Sequence, residues 1–87
     1  MISKKFVVQE EHGIHARPAA KIVEKCQQFN SKIKICNGCS EADGCSILQL
    51  LLLAANKGEQ IEVTADGIDE EKAISELSEL FENGSGI

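Results

Sequence analysis

In three short stretches of this 87-residue chain the apolar residues recur at every second position. In two longer stretches they recur at every third or fourth. A period of two marks a strand with one buried face, and a period near 3.6 marks a helix with one buried stripe. Ile2, Phe6 and Val8 share one parity, interrupted by Lys4, and predict a first strand over about residues 2–8. Ile33 and Ile35 alternate with Lys32, Lys34 and Cys36 as a second strand, and Ile61, Val63 and Ala65 alternate with Glu62 and Thr64 as a later one. From Ala16 the period changes. Ala19, Ile22, Val23, Cys26 and Phe29 form one apolar face of a helix from about residue 16 to 28, with Pro18 in its first turn where a missing N–H costs nothing. Ala73, Ile74, Leu77, Leu80 and Phe81 form the stripe of a last helix over about residues 69–82.

The remaining segments carry turn and cap signals. Asn37-Gly38 predicts a two-residue hairpin turn, because both residues tolerate positive φ, and a third strand should follow over about residues 39–42. Ser46-Ile47-Leu48-Gln49 fits a capping box. The run Ile47 to Ala55 is apolar nearly all round, so this helix should be largely buried, and Asn56-Lys57-Gly58 should end it. The order is β-α-β-β-α-β-α. The simplest way to bury one face of each strand is a four-stranded antiparallel sheet with three helices packed on one face, an α+β open-faced sandwich. Residues 1–87 should form one domain, since the length suits one small unit and neither repeat nor linker is visible. With no Trp or Tyr and three Phe, its core must be aliphatic.

Charge is unevenly spread. Residues 1–40 hold seven basic and three acidic side chains, and residues 41–87 hold two basic and eleven acidic ones. The first half suits an anionic group or an acidic partner surface. A basic, aromatic-rich nucleic-acid surface is not present. Ile2 is followed at once by Ser3, Lys4 and Lys5, so no signal peptide is visible, and Leu50 to Ala55 is far short of a membrane span. A cytoplasmic location with reduced thiols is the expectation.

The chemistry concentrates in Gly13-Ile14-His15-Ala16-Arg17-Pro18-Ala19. His15 falls at the N-cap of the first helix, and Arg17 lies in its first turn. A helix N-terminus offers unpaired N–H groups and partial positive charge, which suit an anion. That field and Arg17 should disfavour an imidazolium, leaving His15 neutral and nucleophilic. A phosphoryl group on the ring would meet the Ala16 and Arg17 N–H groups and a guanidinium whose geometry matches phosphate.

This segment resembles the active-site signature of the HPr phosphocarriers of the phosphoenolpyruvate-dependent phosphotransferase system. The resemblance runs over essentially the whole chain and includes Ser46-Ile47-Leu48. It implies that His15 accepts a phosphoryl group from phospho-enzyme I and passes it to an IIA domain, with Arg17 pairing with the phosphate. It implies that Ser46 is a regulatory site for an ATP-dependent HPr kinase/phosphorylase, and that Ile47 and Leu48 form an apolar docking patch. A carrier of this kind needs no cofactor and no metal, is not itself an enzyme, and is expected to be monomeric.

The chain also departs from that pattern. His12 and Cys45 stand where the family more often has a small polar residue and a Lys, and Asn37-Gly38 comes about one residue early. The stretch Asp43 to Leu52 with Ala54-Ala55 resembles homologues from regulatory, including nitrogen-related, phosphotransfer systems, so the role could be sugar uptake or regulation. Cys26 lies on the apolar face of the first helix and should be core. Cys36 and Cys39 form a C-x-x-C across a hairpin, without the βαβ context of a redox dithiol. Two other readings therefore stand beside the carrier: a regulatory binding module switched at Ser46, and a small redox or metal module built on Cys36, Cys39 and Cys45.

Overall fold

The computed structural model describes residues 1–9, 16–38, 40–53 and 56–82. In chain order the elements are β1 (Ile2–Val7), α1 (Ala16–Cys26), β2 (Lys32–Cys36), β3 (Glu41–Asp43), α2 (Ile47–Leu53), β4 (Gln60–Asp66) and α3 (Glu70–Glu82). The four strands form one antiparallel sheet in the order β1-β4-β2-β3. The expected α+β sandwich in the order β-α-β-β-α-β-α is the observed one.

The register explains the two faces. Ile2 stands opposite Ala65, which stands opposite Ile33; Phe6 stands opposite Ile61; Val63 stands opposite Ile35, which stands opposite Ala42. Phe6, Ile33, Ile35, Ala42, Ile61, Val63 and Ala65 are buried, while Lys5, Glu62, Lys34 and Glu41 on the other parity are exposed. The helices cover the buried face, with α3 against β1 and β4, α2 against β3, and α1 against both α2 and α3. Ala19, Ile22, Val23 and Cys26 of α1 and Ala73, Ile74, Leu77 and Phe81 of α3 close the core. Lys4 interrupts the apolar parity of β1 and lies on the core-side row. Its amine reaches past the sheet edge to within 3.3 Å of Ser78 Oγ and 5.4 Å of the Phe6 ring centre. A charge turned inward on an edge strand blocks pairing with a further strand.

Two turns differ from expectation in an instructive way. The pairing of Cys36 with Glu41 and the hydrogen bond from Asn37 N to Ser40 O (3.1 Å) centre the β2–β3 turn one residue later than Asn37-Gly38. Gly38, with φ of 95°, occupies the first central position, and Asn37 becomes the corner that closes the turn. The third strand accordingly starts at Glu41, not at residue 39. α1 ends at Cys26, and its last turn tightens into i→i+3 bonds from Gln28 N to Lys25 O (3.1 Å) and Phe29 N to Cys26 O (3.3 Å).

The α1–β2 connection is locked to the start of α3. Asp69 accepts hydrogen bonds from Asn30 N (2.8 Å) and from Ser31 Oγ. Gly67 lies against this lock: a Cβ there would sit 2.6 Å from Ser31 Cα. The Ser31 hydroxyl, followed by the Asn30 amide, holds the Asp69 carboxyl below its ordinary range. A carboxylate lowered by folding adds stability above its unfolded value, and that contribution is lost as pH falls through the folded value. Acid titration should therefore destabilise the protein as pH drops below about 4. An Asp69→Asn variant should show a shallower loss in urea melts taken across that range. An identical slope in both proteins would remove Asp69 from the account.

Candidate functional site

α1 enters the fold through a first turn whose two sides differ. Ala16 and Arg17 are exposed, while Pro18 and Ala19 are buried. Pro18 sets φ for the helix and lacks an N–H, so the unpaired amides of this turn belong to its neighbours. No carboxylate lies in the turn, so nothing there opposes the positive end of the helix. Arg17 is thus presented to solvent at the electropositive end of α1. Gly13, His15 and His12 lie outside the described residues, as does Cys39.

α1 packs against α2, the shortest helix, and α2 corrects the expectation of a largely buried segment. Of its described residues Leu50 and Leu53 alone are buried, and Ala54 and Ala55 lie outside the described residues. Ile47 is 43% exposed, Leu48 67%, Leu51 37% and Leu52 73%. A helix lying on the surface of a two-layer fold can bury only the side facing β3 and α1, and the spacing of Leu50 and Leu53 marks that side. The other four apolar residues form a continuous outer strip, since Ile47 and Leu51, and Leu48 and Leu52, are one turn apart. The family resemblance singles out Ile47 and Leu48 but not Leu51 and Leu52. A run of leucines longer than one buried stripe was the signal for them.

Ser46 is half-buried and caps α2, with Oγ accepting from Gln49 N (3.3 Å) and its carbonyl accepting from Leu50 N (3.1 Å). The reciprocal half of the expected capping box is replaced. Gln49 Oε1 accepts from Asp43 N (2.8 Å), because Ser46 N already donates to Asp43 O (3.0 Å). Ser46 therefore stands at the head of the strip that begins with Ile47.

The thiols have a different character. Cys26 is buried, and burial pushes its thiol up to about 12. Cys45 is exposed, yet desolvation and then the Asp43 carboxylate raise its thiol as well. Both shifts reduce the thiolate that nucleophilic or redox chemistry requires. Cys36 is half-buried on the polar face of β2 and accepts from Gly38 N at 3.4 Å. Among the described residues no three His, Cys, Asp or Glu side chains gather as a metal site. Among them, too, no helix is long and apolar enough to cross a membrane.

Comparison with known proteins agrees with this geometry. Residues 2–83 match the family model described as the PTS HPr component phosphorylation site. The phosphocarrier protein HPr of Xylella fastidiosa is 40% identical over 83 residues, covering 95% of this chain and 93% of that protein. The multiphosphoryl transfer protein of Salmonella typhimurium is 37% identical over 89 residues; the match takes in 99% of this chain but only 24% of that longer protein. The crystal structure of HPr-C-His from Thermoanaerobacter tengcongensis superposes with a TM-score of 0.93 at 31% identity, covering 100% of this chain and 98% of that one.

Proposed function

This chain belongs to the HPr family of phosphocarriers, and from that premise we propose that it relays a phosphoryl group through His15. A ring nitrogen of His15 attacks the phosphorus carried by phospho-enzyme I. The new N–P bond forms as the bond to enzyme I breaks, and the same exchange runs onward to an IIA domain. Arg17 and the Ala16 and Arg17 amides offset the charge of the phosphoryl group at the electropositive helix end. The carrying observation is the exposed Arg17 in the first turn of α1, on a helix packed against α2, whose outer side carries the exposed apolar strip. That arrangement supplies a charged group for the phosphate and a neighbouring dry surface for the protein that delivers it.

Ile47, Leu48, Leu51 and Leu52 dock enzyme I and the IIA domain in turn. Ser46 serves as a regulatory site for an HPr kinase/phosphorylase. A phosphate there would suit the N-cap of α2 and yet set a double charge beside the docking strip, weakening enzyme I binding. The protein works in the cytoplasm as a monomer and holds no metal.

Incubation with phosphoenolpyruvate and a cognate enzyme I should add one acid-labile phosphoryl group, read by intact mass and placed at position 15 by fragmentation. No transfer from an enzyme I that charges another HPr would overturn the reading.

A further inference from the structure

We infer that Asn37 is a positioning residue that holds the docking helix α2 at its C-terminal end. This inference rests on the docking role given above to the α2 strip. The seven residues of α2 are too few for a stable helix alone. Two buried side chains, Leu50 and Leu53, supply its hold on the core, while four apolar residues point outward. Polar bonds from the β2–β3 hairpin complete the attachment at both ends. At the N-terminal end Gln49 Oε1 accepts from Asp43 N (2.8 Å). At the other end Asn37 Nδ2 donates to the carbonyl of Leu53 (2.9 Å).

Asn37 can do this because the turn is centred one residue beyond it. At the corner, Oδ1 accepts from Ser40 N (2.9 Å) and N donates to Ser40 O (3.1 Å), so the side chain is fixed in the hairpin with Nδ2 directed at α2. One carboxamide therefore uses its acceptor on the turn and its donor on the helix. The helix end leaves carbonyls without intrahelical partners, and Asn37 satisfies one of them. The outer strip then reaches a partner already oriented.

Asn37→Asp separates the two tasks. Aspartate keeps the acceptor for Ser40 N, suits the corner of a turn, and loses the donor to Leu53. In enzyme I-dependent phosphorylation the KM for this variant should rise about fivefold, the effect of one lost hydrogen bond. Its kcat should stay within about twofold, since the phosphoryl site is untouched. Amide exchange should accelerate across Leu50–Leu53 and not across β4. Should Asn37→Asp unfold, Asn37→Ser, whose hydroxyl can cap the turn but cannot reach Leu53, takes the same measurements. Faster exchange with an unchanged KM would overturn the inference, leaving Asn37 a purely structural role. A fall in kcat at constant KM would also overturn it. Absence of any phosphorylation in the parent protein would instead sink the carrier reading, and this inference with it.

Discussion

His15→Ala is expected to accept no acid-labile phosphoryl group from phospho-enzyme I, while keeping the melting temperature of the parent protein. The loss should be complete because the proposed nucleophile is the ring nitrogen, and no other side chain in Gly13–Ala19 is a nucleophile of that kind. Arg17→Ala should behave differently. The nucleophile and the helix amides remain, so phosphorylation should still occur, slowed on the order of 100-fold by loss of one positioned charge. Arg17 is exposed, so its removal should leave stability nearly unchanged. The pair of variants thus separates the acceptor from its electrostatic support. Intact mass with time after addition of enzyme I and phosphoenolpyruvate reads both. An acid-labile phosphate on His15→Ala would move the acceptor elsewhere in the chain.

Phe81→Ala should have the largest effect on the fold, lowering the free energy of unfolding by about 3–5 kcal/mol. Phe81 is 1% exposed and its ring stacks on Phe6 with centres 4.9 Å apart and planes 21° from parallel. The pair joins α3 to β1, the edge strand farthest in the sheet from β3. The whole sequence has three Phe and no Tyr or Trp, and Phe6 would lose its stacking partner, so little ring surface remains to fill the space. A domain of this size has only about 4–13 kcal/mol of total stability, so the variant should be unfolded in part at 37 °C. Phe81→Leu, which keeps most of the volume, should cost less than about 1.5 kcal/mol beyond the lost stacking. Urea unfolding followed by far-UV circular dichroism checks both, since the chain has no Trp for fluorescence. Equal midpoints for Phe81→Ala and the parent protein would mean that the stack adds nothing.

Much of this architecture was legible because most segments obey one period. β4, with Ile61, Val63 and Ala65 inward, and α3, with Ala73, Ile74, Leu77 and Phe81 inward, fall within a residue or two of the positions their alternation implies. α2 is less legible because a continuous apolar run has no period, and its chemistry alone does not distinguish burial in the core from exposure on the surface. The hairpin was misplaced by one residue because Asn-Gly is compatible with two registers. The register taken is the one that turns Ile35 and Ala42 together into the core. Gln49 was assigned to Ser46 by local spacing, and the competing Asp43 amide came from a strand that spacing cannot bring near. Within the candidate site, Arg17 was legible from its place in a helix-starting turn. Leu51, Leu52 and Asn37 were not, since each depends on which side of α2 meets the sheet.

The outer face of the sheet has a consequence for traffic through the molecule. Lys5 opposes Glu62, Glu62 opposes Cys36, and Lys34 opposes Asp43 across it, and Lys34 pairs with Glu41 at 3.7 Å. Among the described residues, the large exposed apolar side chains outside α2 are Met1, Val7 and Ile68, and they are scattered. Among the described residues the exposed apolar surface is thus gathered on α2, while the open face of the sheet is charged. On the docking proposed above, a donor and an acceptor that both use the α2 strip must take turns on it. Such a carrier cannot bridge the two in a ternary complex: it must leave one before it meets the other. Its throughput is then set by how quickly each complex falls apart, and a strip of four residues is small enough to let go.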